Sequence, residues 1–513
     1  MSANAAAATP PPLASRALVA TGLALAPFMQ VLDTTITNVS LPTIAGDLGF
    51  SIDQGTWIIT SFGVSNAIAL PLTGRLTQRY GVVKVFVISA LLFTLASFLC
   101  GIAWSLPSLI VFRIMQGVVS GPMIPGSQAL LLSIFPPEKK NIGLVIWSTT
   151  TLVAPVCGPI LGGYVAVNYS WPWIFLLNVP FGMFSVYVCA RGLRHHETPT
   201  RRVPIDVIGC LLLVVWVGAL QIMLDTGKDK DWFSSPLICI EALIAVLGFI
   251  TFIIWELGEK HPIIDLSLFR NRNFALGMIP YALGFAIFFG AVLLTPLWMQ
   301  TWLGYTATWA GLAAAPAGLV AVLLSPLVAR YFARIDARVF ATAGFIAFAS
   351  SYLMRAQFTA DASFAWFVVP SIVQGIGMSM FFVSMLNILL GGIEPHRIPF
   401  ASGVSNFVRI TSGSFGASIT TTFWDRDASV HQSRLAEATS AFDPRAQQAL
   451  DALHGMGLND AQGLSALVRS LESQAHFLSA LDFFWISGWI TFGIIVFVWF
   501  TRRPRGAVQV AAE

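Results

Sequence analysis

The sequence predicts an all-α membrane protein with 14 transmembrane helices: two six-helix bundles plus two inserted helices, with both termini cytoplasmic. Three observations predict it. Of 513 residues, 56% are hydrophobic and only 11% charged, with a mean hydropathy of +0.75. Soluble domains carry about 25% charged residues. Apolar stretches of the ~20 residues needed to cross a bilayer recur throughout the chain. The basic residues also fall mostly on one side of the membrane that those stretches imply.

The expected spans are about 17–40, 54–74, 83–104, 107–131, 143–166, 172–191, 205–224, 236–256, 273–298, 307–329, 338–356, 364–391, 401–424 and 482–501. Arg16 precedes an apolar run, as in a signal peptide, but the run continues to Pro42 and thirteen more follow, so the first helix is read as uncleaved. The expected organisation is a disordered cytoplasmic tail at 1–16 and an N-terminal bundle at 17–191. A linker with the two inserted helices follows at 192–272. The C-terminal bundle is 273–501, including a periplasmic loop at 425–481, and 502–513 forms a cytoplasmic tail. With the N-terminus cytoplasmic, 20 of the 29 Lys and Arg residues lie in cytoplasmic segments. The short opposite loops hold Lys228, Lys230 and Arg355. The long loop holds four more, and Arg113 and Arg409 lie within spans. An odd helix count would destroy this asymmetry. The net charge of +4 is this bias and gives no nucleic-acid footprint.

Other chemistry is absent from the pattern. All five cysteines (Cys100, Cys157, Cys189, Cys210, Cys239) lie in spans without a CxxC and read as packing residues. The seven histidines are read as lying in loops, and no metal site is expected. There is no GxxxxGK[ST], GxSxG or HExxH sequence, so neither ATP hydrolysis nor common hydrolase chemistry is expected. The chain reads as a transporter and not an enzyme, with no cofactor and an ion gradient as its energy source.

An internal repeat defines the two bundles. Pro71-Leu72-x-x-Arg75-x-x-x-Arg79 recurs as Pro326-Leu327-x-x-Arg330-x-x-x-Arg334, and Gln116-Gly117 recurs as Gln374-Gly375. The offsets, 255 and 258, pair helices 1–6 with helices 9–14 and leave about 205–256 as the insertion.

Candidate functional residues lie on these helices. Asp33 is a carboxylate inside the first span, which is costly in a bilayer (~2.5–3.5 kcal/mol on insertion scales) and marks function. Gln30, Asp33 and Thr37 share one helix face, and Asn38 adjoins it. Arg113, Gln116 and Ser120 share a face of helix 4, where a fixed cation either faces Asp33 or substrate, or holds carbonyls between helices. Burial favours a protonated Asp33 and a neighbouring Arg113 favours the charged form, a balance suited to switching. Ala154, Gly158, Gly162 and Ala166 form a small-residue ridge on helix 5, which permits close helix approach. Gln374, Met378 and Phe381 on helix 12, and Arg409 on helix 13, are candidates for the substrate pathway. Flexible and aromatic side chains suit varied apolar ligands, and lipid-facing or packing residues look the same. Asp225 and Glu241, near span ends, read as interfacial.

With these residues in view, the chain resembles the fourteen-helix drug:proton antiporter branch of the major facilitator superfamily and is similar to its EmrB type. The resemblance rests on Leu32-Asp33-Thr34-Thr35-Ile36-Thr37-Asn38-Val39-Ser40-Leu41-Pro42 in helix 1 and Arg113-Ile114-Met115-Gln116-Gly117 in helix 4. It also rests on Gly158-Pro159-Ile160-Leu161-Gly162-Gly163 in helix 5 and on Trp171 to Gly182 opening helix 6. With no histidine read in the spans, Asp33 is the carboxylate best placed to couple protons; the resemblance implies a proton-coupling role for Arg113 and an antiport role for Gly158, Pro159, Gly162 and Gly163. The cytoplasmic loop Gly74-Arg75-Leu76-Thr77-Gln78-Arg79-Tyr80-Gly81 resembles the superfamily's conformational latch, but Gln78 replaces the usual aspartate. A bacterial inner-membrane exporter of small hydrophobic or amphipathic drugs is implied, surrounded by lipid. So are a periplasmic adaptor (membrane fusion protein) and an outer-membrane channel, with the 425–481 loop facing the adaptor. The alternatives are an exporter of one endogenous metabolite, a proton-coupled importer, or a membrane sensor or scaffold.

Overall fold

The computed structural model describes residues 13–50, 52–136, 142–143, 146–147, 150, 153–154, 157–158, 161–162, 164–165, 168–201, 204, 206–332, 335–359, 363–438, 444–455 and 458–503. Among them the structure is helical and contains no strand. The N-terminal half contains α1 (Leu13–Leu48), α2 (Ile52–Tyr80), α3 (Val82–Gly101), α4 (Leu106–Ser120), α5 (Met123–Ile134), α6 (Pro172–Leu176) and α7 (Asn178–Gly192). The inserted pair is α8 (Val207–Thr226) and α9 (Pro236–Gly258). The C-terminal half contains α10 (Arg272–Thr301), α11 (Ala307–Phe332), α12 (Ala337–Arg355), α13 (Phe364–Leu390), α14 (Ile398–Ala438), α15 (Pro444–Gly455) and α16 (Asp460–Trp499).

Twelve helical stretches among the described residues are long and apolar enough to cross a bilayer, with α4–α5 and α6–α7 each acting as one. Two expected spans stand apart. The fifth, 143–166, runs through positions outside the described residues. The thirteenth lies in α14, where buried Ser402, Ser405, Asn406, Arg409, Ser418 and Thr420 dilute the apolar character.

Local chemistry sets the boundaries. Ser105 accepts from Ser108 N in a capping box, with Pro107 in the first turn of α4. Asp206 caps α8 through Gly209 N at 2.9 Å. Asn271 and Asn459 likewise cap α10 and α16.

Packing follows the repeat. α2 lies on α4, and α1 and α3 lie on α7; in the other half α12 and α11 lie on α13, and α10 on α14. The inserted α8 packs on α9 and touches both α2 and α14, so it spans the seam between the bundles. Trp216 of α8 sits against Phe252 of α9 and Phe407 of α14, with ring centroids 6.0 and 5.8 Å away. The Ser418 hydroxyl donates to the Leu224 carbonyl at 2.7 Å.

Several expectations require correction. α1 begins at Leu13, inside the expected 1–16 tail. The 74–81 segment is not a loop: α2 continues to Tyr80, and only Gly81, with φ of 91°, makes the turn. The 425–481 loop is largely helical, because α14 and α16 both extend through it with α15 between them. His431, His454 and His476 therefore lie on helices. Polar residues hide such helices from a hydropathy reading. Arg355 is not a loop residue either, for it ends α12 and is 3% exposed.

The bundles meet at the end that carries the Lys/Arg-rich segments. The Phe400 ring lies against Gly74, where any side chain would collide with it, and Gly403 faces the Leu70 carbonyl. Ser402 Oγ donates to Gln128 Oε1, and Asn406 Nδ2 approaches the same oxygen at 3.5 Å. This end is closed by direct contact between α2, α5 and α14.

Candidate functional site: a buried carboxylate–guanidinium cluster

The threonine hydroxyls around Asp33 are satisfied by the first helix's own backbone. Thr34, Thr35 and Thr37 donate back to the carbonyls of Gln30, Val31 and Asp33 at 3.1, 3.1 and 2.7 Å. Such bonds satisfy hydroxyls in an apolar medium. Asp33 is 1% exposed and faces the bundle interior.

There it meets three donors. Arg113 Nη1 donates to Asp33 Oδ2 at 2.5 Å. Gln116 Nε2 and Asn178 Nδ2 donate to Oδ1 at 3.2 and 2.9 Å. Arg113 also donates from Nη1 to Gln116 Oε1 at 2.7 Å and from Nε to the Ile58 carbonyl at 3.1 Å. Its guanidinium lies 4.4 Å from the Phe62 ring centroid. Asn178 Nδ2 further donates to Ser97 Oγ at 3.0 Å, and Ser97 donates to the Phe175 carbonyl at 3.0 Å. The cluster therefore ties α1 to α2, α3, α4 and the α6–α7 helix. Arg113, Gln116 and Ser97 have no measurable exposure. A buried ion pair holds only when its remaining polar atoms are satisfied. Among the described residues, Arg113 Nη2 and Gln30 Oε1 are buried atoms without a hydrogen-bond partner.

Sequence reasoning placed Asp33, Arg113 and Gln116 as candidates but missed Asn178 and Ser97. Asn178 was visible only within the helix-6 motif, and a serine in an apolar helix gives no signal. Thr37 is buried near Asp33, whereas Asn38 is exposed.

The helix-5 glycines meet α1 directly beyond Asp33. A methyl on Gly158 would collide with Thr35 Oγ1, and one on Gly162 would lie 3.2 Å from Ile36 Cα. Pro159 and Gly163 lie outside the described residues.

The second bundle holds a different arrangement. Gln374 Oε1 accepts from Arg355 Nη2 at 2.7 Å, and Ser371 Oγ lies 3.4 Å from the same nitrogen. By the 258-residue offset, Ser371 occupies the place of Arg113, and the guanidinium comes instead from α12. Among the described residues no carboxylate pairs with Arg355. Met378 and Phe381 are packed inside this bundle, and the Phe381 ring is 5.6 and 5.0 Å from those of Phe285 and Phe345. Arg409 is 5% exposed, donates from Nε to Asn406 Oδ1 at 3.2 Å and lies 5.8 Å from the Phe285 ring. Through Asn406 it adjoins the Gln128–Ser402–Asn406 contact between the bundles. Among the described residues, Gln374, Met378, Phe381 and Arg409 make no hydrogen bond or ring contact with the Asp33 cluster.

The latch-like segment also has an unexpected set of partners. Arg75 Nη1 donates to Gln78 Oε1 at 2.9 Å, and Nε donates to the Pro262 carbonyl at 2.6 Å in the strand of chain after α9. Its guanidinium is 5.5 Å from the Phe400 ring. Glu197, from the segment after α7, accepts from Val83 N and Lys84 N at 3.0 and 2.9 Å, an anion at the α3 N-terminus. A side chain on Gly81 would strike Glu197. Arg79 stacks near Tyr80, 5.5 Å from its ring centroid. The chain after α9 is held again by Arg397, whose Nε and Nη2 donate to Asp265 Oδ2 at 3.1 and 2.6 Å. Glu256, 3% exposed, accepts from Ile263 N and Ile264 N at 3.2 Å each. Sequence reasoning missed Glu256 because a charge at a span end reads as interfacial.

Residues 23–417 match the model of the Major Facilitator Superfamily. The chain is 46% identical to the multidrug export protein EmrB of Escherichia coli (strain K12), over 94% of this chain and 95% of that protein. It is 44% identical to the fatty acid resistance protein FarB of Neisseria gonorrhoeae, over 96% of this chain and 98% of that protein. Its fold is similar to that of the human organic anion transporter MFSD10 (TETRAN). The TM-score is 0.57 with 13% identity, covering 94% of this chain and all of that structure.

Proposed function

The chain belongs to the major facilitator superfamily, and from that premise we propose that it is a proton-driven exporter of hydrophobic or amphipathic toxic compounds. It is a multi-pass protein of the inner membrane and a secondary transporter, not an enzyme. The observation that carries the antiport reading is Asp33, a fully buried carboxylate held by Arg113, Gln116 and Asn178. Those three donors serve the ionised carboxylate. Protonation replaces one acceptor site with an O–H, releases Arg113 towards Gln116 and Ile58, and loosens α1 from α4 and α7. Substrate entering between the bundles favours the ionised, clamped state or the released one according to the side it faces, and this exchanges proton for drug. A potential of 100 mV contributes ~2.3 kcal/mol per charge moved.

The closed end supports the conformational half of the cycle. Opening it separates Phe400 from Gly74 and Arg75, and Ser402 from Gln128. The segment after α9, gripped by Arg75 on one side and Arg397 on the other, must follow. Arg409, buried beside that closure, becomes a positively charged wall of the opened cavity. The α14–α16 projection supports docking to a periplasmic adaptor and, through it, an outer-membrane channel. α14 has 41 residues, about 62 Å at 1.5 Å per residue, roughly twice the ~30 Å hydrocarbon core.

The test uses proteoliposomes with an imposed pH gradient, following a fluorescent amphipathic drug and lumenal pH together. Gradient-driven drug movement with opposite proton flux supports the reading. Drug movement that ignores the gradient contradicts it.

A further inference from the structure

Where α14 and α16 leave the apolar part of the molecule, three ligand-type side chains converge. Asp427 and His431 lie one turn apart on α14, and Asp482 faces them from α16. His431 Nε2 is 2.8 Å from Asp482 Oδ2 and 3.4 Å from Asp427 Oδ2. The three ligand atoms all lie within 4.8 Å of one another. We propose that Asp427, His431 and Asp482 bind a divalent transition cation of the zinc class and so fix the root of the α14–α16 projection.

Two carboxylates address a single imidazole nitrogen, and Nε2–H has one proton to give. Asp482 takes the shorter contact, and among the described residues the buried Asp427 Oδ2 has no hydrogen-bond partner. A cation on Nε2 serves both carboxylates at once. The spacing suits it: nitrogen and oxygen ligands at ~2.0–2.2 Å in a tetrahedral shell are roughly 3.4 Å apart. One nitrogen with two carboxylate oxygens favours zinc-class ions over calcium or magnesium, which prefer all-oxygen shells. The helices are already in register here, because Trp424 Nε1 donates to the His476 carbonyl at 2.9 Å and Ser479 Oγ to the Trp424 carbonyl at 2.8 Å. The Asp482 side chain is 52% exposed, which gives an ion a way in and leaves room for a water as fourth ligand. Asp427 also lines a cavity of about 850 Å³ with Trp232, Phe423 and Arg426.

The test is equilibrium dialysis of the full-length, tag-free protein in detergent against Zn²⁺ alone, after chelator treatment. The expected result is one saturable ion per chain, bound at least about tenfold more weakly in His431→Ala and in Asp482→Asn. His454→Ala, which removes a different histidine paired with Asp460 at 2.9 Å, leaves binding unchanged. Because Asp482 is half exposed, Asp482→Asn keeps the packing intact and isolates ligation from folding. Co²⁺ in place of Zn²⁺ gives absorption bands of a four- or five-coordinate site in the wild type and loses them in both variants. The absence of saturable binding, or binding equal in wild type and Asp482→Asn, overturns the proposal and leaves a His–Asp pin between helices. Neither result depends on transport.

Discussion

A buried carboxylate that accepts from Arg113, Gln116 and Asn178 rests on three named donors, and this is what makes single substitutions informative. Arg113→Lys keeps the charge but loses the planar fork that reaches Asp33, Gln116 and the Ile58 carbonyl together. Drug transport in proteoliposomes is expected to fall by at least about tenfold, equivalent to about 1.4 kcal/mol. Asn178→Ala removes one of the three donors to Asp33, so gradient-driven drug transport is expected to fall by at least about tenfold. The same change leaves Ser97 without a partner on that side and destabilises the fold by about 1–3 kcal/mol, readable as a lower Tm. Unchanged transport in Asn178→Ala would remove Asn178 from the set of residues on which the function of Asp33 depends. Asp33 and Arg113 were legible because charges are rare inside apolar spans. Asn178, Ser97 and the Arg355–Gln374 contact were not, because neutral polar residues and span-end arginines acquire meaning only when distant helices meet.

At the scale of elements, Gly158 and Gly162 lie against Thr35 and Ile36 of α1, close in sequence to Asp33. Gly158→Val forces a branched side chain against Thr35, and overpacking of this kind costs about 1–3 kcal/mol. The expected outcome is protein that reaches the membrane at reduced Tm and transports little drug. Wild-type transport in Gly158→Val would show that this contact tolerates separation. The span pattern was readable from hydropathy and charge asymmetry, since a bilayer dictates both. The helical course of α14 through 425–438 and of α16 through 460–481 was not. Those turns are polar, and their helicity follows from continuity with buried segments and from packing on each other.

Across the whole molecule, the repeat found in the sequence corresponds to two bundles that meet at one closed end and are spanned laterally by α8. The repeat offset, however, hid an asymmetry: the carboxylate–guanidinium pair exists in the first bundle, while the second holds Arg355 without a carboxylate among the described residues. Gly74 and Phe400 touch across the closed end, so thiols placed there test the cycle. In a background without the five native cysteines, Gly74→Cys with Phe400→Cys joined by a short thiol-reactive cross-linker is expected to arrest transport, and cleaving the linker to restore it. Transport that continues while cross-linked would mean that this end does not open. The departure at Gln78 has its physical counterpart at the same scale, where Arg75 grips the Pro262 carbonyl and Glu197 supplies the anion at α3. No local motif announces partners more than a hundred residues away.

Asp33 is the group proposed to carry the proton exchanged for drug. The most direct measurement is proton release on drug addition, followed with a pH indicator in lightly buffered detergent solution, for wild type and Asp33→Asn. Drug-dependent release from the wild type, absent in Asp33→Asn while drug binding persists, is the expected result. Equal release from both proteins would contradict the claim.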